Sequence, residues 1–377
     1  MGMSIPETIF WLSTSLLAIV YISYYSICLY VTKTKKLKVK KDIKFRPKIS
    51  LVIPTWNEEK TILGKLKNTL DLIYPKDKLE IIVIDSGSTD KTKSIVKKFK
   101  RVRLIEEKER NGKAVALNKA FKFCNGDIIV ITDADSRLKK DILLKSMPYF
   151  FDPKVGALTG KLVLINPNEN SATKIEKTYR NFYHLIRNAE SILDSTTIFH
   201  GPFSAFRKDA IEDIFEDSVA DDTELAFRVR KNKYKTILVN DALFWEYTPA
   251  KISERTKLKQ RRAQGIVQVM FRFFSTFFFN PDYNLFGFLI FPVEFFMHVI
   301  SPFFILAMMI SSLFLPLNVL AGLLILFLIG LTIPSVRSFI FTFLHTQYSC
   351  FRGIIGYLFK NNSHKWEKIN GTRRYER

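Results

Sequence analysis

Hydrophobic positions are laid out along this chain in three textures. From residue 9 to 31 they run almost without charge, far enough to cross a bilayer core, which takes roughly 20 residues of helix. From 47 to 248 they break into short runs divided by polar turns. Strand-like and helix-like segments alternate there as they do around an α/β sheet of mostly parallel strands. Past Lys251 a basic stretch (Lys257, Lys259, Arg261, Arg262, Arg272) gives way to a Phe-rich one ending at Phe279, a mixture that suits a helix lying in a membrane interface. Long apolar runs return at 285–315 and 317–334, each able to cross a bilayer. The run at 338–358 fits either another span or an interfacial helix, because Gln347 and Arg352 interrupt it. The expected division is an anchor with a basic juxtamembrane stretch over 1–46, an α/β domain over 47–250, interfacial amphipathic helices over 251–280, and transmembrane helices with a basic tail over 281–377.

Within the α/β block the runs at 49–53, 80–84, 102–105, 128–131 and 157–165 read as strands, being short and rich in β-branched residues. The first ends at Pro54-Thr-Trp-Asn-Glu-Glu59, where Asn57 would cap a helix running to Leu72 and the two glutamates would suit its positive end. The second ends at Asp85-Ser-Gly-Ser-Thr-Asp90. The third is followed by Asn111-Gly-Lys113 and a helix over 114–123. The fourth delivers Asp133 and Asp135, one residue apart and so on the same side of an extended segment. Such turns gather along one edge of a parallel sheet, the edge where ligands bind. Two carboxylates with room for water suit magnesium or manganese on a diphosphate. The same Asp-x-Asp also suits a solvated turn or a helix cap.

Of the 377 residues 47% are hydrophobic, yet the formal net charge is +22. Nucleic acid would account for the charge alone, but Lys33, Lys35, Lys36, Lys38, Lys40, Lys41 and Lys44 directly follow the first apolar run. A membrane surface is the better partner, and no nucleic-acid partner is expected. That charge order is the reverse of a cleaved signal peptide's. The chain therefore reads as a multi-pass protein of a cell membrane with its α/β domain cytoplasmic. Lys360, Lys365, Lys368, Arg373, Arg374 and Arg377 place the tail on the same side, which implies three spans. Cys28, Cys124 and Cys350 lack the spacing of a zinc module or a disulfide framework. Neither Gly-x-Gly-x-x-Gly after the first strand nor a Gly-Lys-Ser/Thr loop occurs, which argues against a dinucleotide dehydrogenase or a P-loop NTPase. An edge carrying Asp85, Lys113, Asp133 and Asp135 suits a nucleoside, a diphosphate and a metal instead.

Six segments occur in one order: Ile53-Pro-Thr-Trp-Asn-Glu58, Asp85-Ser-Gly-Ser-Thr-Asp90, Gly112-Lys-Ala-Val-Ala-Leu-Asn118, Thr132-Asp-Ala-Asp135, Gly201-Pro-Phe-Ser-Ala-Phe-Arg207 and Ala220-Asp-Asp-Thr-Glu-Leu-Ala-Phe-Arg228. Together they resemble glycosyltransferase family 2, and within it the membrane-embedded branch of hyaluronan, poly-N-acetylglucosamine and cellulose synthases, over about residues 48 to 275. The resemblance implies a GT-A-like nucleotide-diphospho-sugar transferase domain, a UDP- or GDP-sugar donor, and a divalent metal, magnesium or manganese. It implies that Asp85 contacts the nucleobase beside Pro54, Asn57 and Glu58, that Lys113 faces the nucleotide end of the donor, that Asp133 sits near ribose and metal, and that Asp135 ligates the metal. Asp222 aligns with the family's general base, and Asp221 stands where the family more often has Glu. His200, Gly201, Phe203, Ser204 and Asp221 fall on the acceptor side. In place of the family's Gln-x-x-Arg-Trp the chain has Leu258-Lys-Gln-Arg-Arg262. Arg261 is retained, where the resemblance puts it on the diphosphate, but Leu258 and Arg262 replace Gln and Trp, which weakens the case for a processive polymerase. Trp366-Glu-Lys368 and Thr372-Arg373 also resemble the cytoplasmic end of these synthases.

The chemistry is intelligible from the residues. Glycosyl transfer needs the leaving diphosphate neutralised and an acceptor hydroxyl deprotonated; a metal with basic side chains serves the first need and Asp222 the second. One base and no protein nucleophile imply inversion at the anomeric carbon. The expected acceptor is membrane-associated, a lipid or a growing glycan, in polysaccharide or glycan synthesis. Single addition to a polyprenyl phosphate or glycolipid is the alternative, and an inactive nucleotide-sugar-binding membrane scaffold is the reading from another class. Plainer roles stand beside each assignment. Asp221 and Asp222 suit the first turn of a helix over 223–230, Asp85 and Asp90 suit turns, Lys113 suits solvent, and His200, Trp56 and Trp245 suit packing. Glu294 and His298, four apart and on one helix face, either line a lipid or glycan path or pack helices.

Overall fold

The computed structural model describes residues 3–359 and 368–373. Eight strands, β1 (Ile49–Thr55), β2 (Leu79–Ser86), β3 (Val102–Glu107), β4 (Ile128–Ile131), β5 (Arg137–Leu138), β6 (Val155–Leu164), β7 (Ser204–Arg207) and β8 (Lys235–Glu246), join in the order β3-β2-β1-β4-β7-β6-β8-β5. The first four in that order are parallel. Their side chains alternate between two cores: Leu51, Ile53, Val83 and Val130 face one, and Val52, Ile82, Ile129 and Ile131 face the other. Because both sides are covered, these strands are apolar throughout rather than alternating. The helices are α1 (Ile5–Thr34), α2 (Ile62–Leu70), α3 (Thr92–Val96), α4 (Lys113–Phe121), α5 (Ile142–Ser146), α6 (Ser171–Leu193), α7 (Asp221–Lys231) and α8 (Ile252–Arg272), followed by the C-terminal apolar helices. α2 and α5 cover the first face of the sheet, α4 and α7 the second.

Two local expectations change. The helix after β1 begins at Ile62, with Thr61 rather than Asn57 at its N-cap position and no side-chain capping hydrogen bond there. Asn57 sits at φ 53, and its Oδ1 accepts from the backbone N–H of Thr89 at 2.7 Å, so its side chain ties two loops together. The other half of the sheet is mixed. β7 inserts between β4 and β6, antiparallel to both, and β8 then runs parallel to β6.

Helices Ile5–Thr34 and Phe286–Ser312 are each long and apolar enough to cross a membrane. α1 buries only Phe10, Ser13, Leu17, Tyr24, Cys28 and Val31, spaced by three, four or seven residues along one stripe. It packs that stripe against α6 and the second of these helices. The run expected to span at 317–334 is a 16-residue helix, Leu317–Thr332. At 1.5 Å per residue it is about 24 Å long, short of the roughly 30 Å apolar core. The chain then bends by 112° into Pro334–Leu358, and a third span exists only if that bent pair is counted as one. Lys360, Lys365, Trp366, Arg374 and Arg377 lie outside the described residues.

The stretch over 251–280 is more deeply packed than a helix laid on a surface. α8 runs along Pro334–Leu358. Phe273 and Phe277 turn inward onto Phe227 of α7, with Phe286 and Phe291 completing an aromatic cluster. Phe271, Phe274 and Phe279 remain exposed. The α/β domain thus supplies the ring around which its membrane-side segment folds.

Of the pair noted at 294 and 298, Glu294 packs helices. It is fully buried, and the Arg187 guanidinium of α6 lies 2.9 Å from each of its carboxylate oxygens. Arg187 also donates to Glu190 at 2.9 Å and to Thr197 at 2.7 Å, and Tyr24 of α1 donates to Glu190 at 3.1 Å. This buried cluster joins α1, α6 and the second spanning-length helix.

Candidate active site

A cleft of about 280 Å³ opens at the carboxyl ends of β1, β2 and β4 and runs from Trp56 past Asp135 and Asp222 to Cys350. Pro54, Trp56 and Glu58 form one wall. The Arg110 guanidinium lies 3.5 Å above the centre of the Trp56 ring, a cation held on an aromatic face. Asp85 lies behind this wall, not in it. It is fully buried, accepting from Ser88 N–H at 2.9 Å and from Thr55 Oγ1 at 3.2 Å. The structure gives it the shaping of the turn after β2, and Asn57 likewise stitches loops outside the cleft lining.

The centre of the cleft is a carboxylate cluster around one lysine. Gly112 precedes α4 at φ 106, backbone open to glycine, and starts the helix so that Lys113 reaches across. Lys113 Nζ lies 2.9 Å from Asp133 Oδ1 and 3.1 Å from Asp221 Oδ2. Asp221 and Asp222 open α7, and Asp222 Oδ1 accepts from Thr223 N–H at 2.7 Å. Burial and the neighbouring Asp221 push Asp222 up to about 7. Burial, with Asp133 adding, also raises Asp221 against the pull of Lys113. Asp135 is pushed up to about 6 by burial in spite of Arg373, whereas Lys113 outweighs burial at Asp133 and holds it below the usual carboxylate range. Gly201 closes over this cluster: a Cβ there would stand 2.8 Å from Asp133 Oδ2.

Several expected residues meet here and others do not. Pro54, Glu58, Lys113, Asp133, Asp135, His200, Gly201, Asp221, Asp222 and Arg261 all line the cleft. Burial keeps His200 well below its ordinary value, hence neutral, and lowers Arg261 to about 10. Phe203 and Ser204 do not reach it. Phe203 packs on Phe244 in the core, and Ser204 begins β7 opposite Ile131; one faces the core and the other is buried within the sheet. Trp245 pairs across the sheet with Arg137, outside this lining. Arg262, in the position of the family's Trp, donates to Glu246 at 2.6 Å.

Three features escaped the reading of the sequence. The C-terminal segment 368–373 crosses the cleft: Arg373 forks onto Glu58 at 2.7 to 3.0 Å and Thr372 donates to Asp135 Oδ2 at 3.1 Å. Lys65 is buried beneath Asp133 and Asp135, donating to Thr132 Oγ1 at 2.6 Å and Ser136 Oγ at 3.0 Å. Burial lowers it to about 7 against the pull of the two aspartates. Its sequence signal was a lysine inside the buried stripe Ile62, Leu66, Thr69 of α2. The third feature is an arm of the cleft along α6 and α8, where Arg180 of α6 meets Lys259 and Arg262 of the basic stretch noted in the sequence.

Among the described residues no group of three or more His, Cys, Asp or Glu side chains could hold a metal. Asp133 and Asp135 alone nevertheless fit magnesium or manganese, which keep waters and take one or two carboxylates together with substrate phosphates.

Comparison with known proteins agrees with this geometry. A family model described as Glycosyl transferase family 2 matches residues 50–215. Probable glycosyltransferase YdaM of Bacillus subtilis (strain 168) is 30% identical over 290 residues, covering 72% of this chain and 69% of that one. Poly-beta-1,6-N-acetyl-D-glucosamine synthase of Staphylococcus aureus (strain COL) is 29% identical over 241 residues, 60% of this chain and 57% of that protein. A mannosyltransferase of Pyrobaculum calidifontis, solved in complex with GDP-Man and Mn2+, superposes with a TM-score of 0.78 at 27% identity, covering 93% of this chain and 99% of that one. The fold is therefore GT-A-like with added helical segments, and the chain belongs to glycosyltransferase family 2.

Proposed function

We propose that this protein is a metal-dependent, inverting glycosyltransferase of a cell membrane, with its 47–250 domain cytoplasmic. In this reading it moves a sugar from a UDP- or GDP-sugar to a membrane-associated acceptor in glycan synthesis. The observation that carries the reading is the single cleft in which Asp133, Asp135 and Lys113 share one cluster with Asp222. Helices long enough to span a membrane pack beside it.

In the reaction the acceptor hydroxyl oxygen bonds to the anomeric carbon as the bond from that carbon to the β-phosphate oxygen breaks. The nucleoside diphosphate leaves with the electron pair, and Asp222 takes the proton. A carboxylate raised to about 7 is a competent base near neutral pH. A divalent ion held by Asp133 and Asp135 would neutralise the diphosphate as it departs. Lys113 and Arg261 bring further positive charge to that oxygen-rich end. With one base and no protein nucleophile in the scheme, displacement is direct and configuration inverts.

The test uses membranes carrying wild type or Asp222→Asn, supplied with manganese and radiolabelled UDP- and GDP-sugars, then partitioned between organic solvent and water. GDP-mannose heads the panel because the structural neighbour was solved with GDP-Man and Mn2+. Label in the organic phase from wild type alone identifies a lipid-linked product, and label in large aqueous material a polysaccharide. Equal label above background from both proteins would remove the general-base role, and background label from both beside a working control enzyme would leave the inactive scaffold.

A further inference from the structure

Past Asp222 the cleft continues as an arm between α6, α8 and the helix Pro334–Leu358, and there the charge balance reverses. Its carboxylates are Glu176 and Glu246; the cations around them are Arg180, Arg255, Lys259 and Arg262. Arg180 pairs with Glu176 at 2.9 Å and Arg262 with Glu246 at 2.6 Å. Arg255 donates to the backbone oxygen of Ala172. Lys259 has only a share of Glu176, which Arg180 also holds. It is 7% exposed, its Nζ makes no hydrogen bond among the described residues, and its approach to Glu176 Oε2 is 3.4 Å, with the Tyr179 ring centre at 3.8 Å. Burial, opposed by Glu176, lowers Lys259 to about 8, which leaves it charged at neutral pH.

Four cations against two carboxylates, with Lys259 and Arg255 buried and Arg180 and Arg262 partly open to the cleft, are costly to maintain unless an anion completes them. The Arg187 cluster nearby supplies the contrast, since there both terminal guanidinium nitrogens end on carboxylates or a hydroxyl. The arm also ends at His298, Thr346, Ser349 and Cys350. His298 lies on the spanning-length helix Phe286–Ser312 and the others on the helix bent from the apolar Leu317–Thr332. An anion with an apolar tail fits both ends of that description. We infer that the arm binds the anionic head of a phosphate-bearing glycolipid acceptor, anchoring its phosphate on Lys259, Arg180 and Arg262 while a sugar hydroxyl of the same head reaches Asp222. The phosphate is an anchor and not the nucleophile, in keeping with the need for a base. This assignment rests on the transferase reading, because it names that reaction's acceptor.

The test is made on the full-length protein and its Asp222→Asn form in detergent micelles, titrated with a fluorescent phosphate-headed lipid and with its uncharged hydroxyl-headed counterpart. In both proteins the phosphate-headed lipid binds at least about tenfold more tightly, the scale of one charge-assisted hydrogen bond. Lys259→Gln combined with Arg180→Gln removes that preference, and Lys259→Arg keeps it. Nucleoside diphosphate binding at the other end of the cleft is unchanged in every variant and reports an intact fold. Equal wild-type binding of the two lipids, or a preference that survives loss of both cations, overturns the inference. Inorganic phosphate competing as strongly as the lipid overturns its lipid half and leaves a soluble-anion site. The readout is binding and persists in Asp222→Asn. Lipid preference without any sugar transfer would therefore sink the transferase reading alone, and transfer to an uncharged acceptor without lipid preference would sink this inference alone.

Discussion

The two ends of the cleft are built from the same kinds of side chain with opposite imbalance. At the sheet edge Asp133, Asp135, Asp221 and Asp222 gather around Lys113, with Lys65 beneath and Arg373 beside them. In the arm along α6 and α8, four cations surround two carboxylates. Between them stands the Arg187, Glu190 and Glu294 cluster, in which Arg187 is shared by two carboxylates. A buried charge left uncompensated is expensive, so a fold keeps it where a ligand of the opposite sign arrives. The balanced cluster serves to dock helices; the unbalanced ones mark a cation site and an anion site at opposite ends of one cavity.

The comparison can be broken most decisively at the carboxylate end. Asp222→Asn should lower kcat by roughly 10²- to 10⁴-fold, the usual worth of a positioned base, while nucleotide binding measured by calorimetry holds. Retained turnover would move the base elsewhere. At the balanced cluster, Arg187→Leu leaves Glu190 and Glu294 buried without their cation and should cost about 3–5 kcal/mol in unfolding free energy. Lys259→Gln, which removes a surplus cation while Arg180 still pairs with Glu176, should cost under about 1 kcal/mol by the same reasoning. Similar losses in both variants would erase the distinction between balanced and unbalanced charge. Chelation should abolish transfer and weaken nucleoside diphosphate binding roughly tenfold or more, with manganese restoring both, since a metal at Asp133 and Asp135 contributes several kcal/mol of charge stabilisation. Binding indifferent to the chelator would leave those aspartates with protein cations alone, Lys113 and Lys65 at Asp133 and Arg373 at Asp135.

The smallest effect concerns pH. Asp222 is the active form only when deprotonated, and its value is raised to about 7. The acid limb of kcat/KM, which reports the free enzyme, should therefore fall away below about pH 7. Asp221→Asn removes the like charge that helps raise Asp222, and should move that limb to lower pH by up to roughly one unit. A limb that stays in place would assign the shift to burial alone.

How much of this was written in the sequence differs between the two halves of the sheet. β1 to β4 are local runs of β-branched residues followed at once by their polar turns, and they appear within a few residues of their expected positions. The order of the six family segments led directly to Lys113, Asp133, Asp135 and Asp222, which the fold then gathers. β7 lies antiparallel between β4 and β6 because residues 204–207 pair with both partners over long separations in sequence. No local pattern reports such a pairing.

The same physics divides the site. Hydrophobic periodicity, turn chemistry and motif spacing act over a few residues, so the chain by itself determined β1 to β4 and β6, its apolar helices and the identity of its carboxylate cluster. Phe203, Ser204 and Asp85 stay out of the cleft lining, because a motif names neighbours without saying which of them face a cavity; Phe203 turns into the core, Ser204 is buried in β7, and Asp85 turns into its own loop. Arg373 on Glu58, Arg187 on Glu294 and Lys259 beside Glu176 each join residues that are remote in the chain. Whether a charge is compensated depends on what lies within a few ångströms of it, and only the packing of α6, α8 and the C-terminal helices decided that.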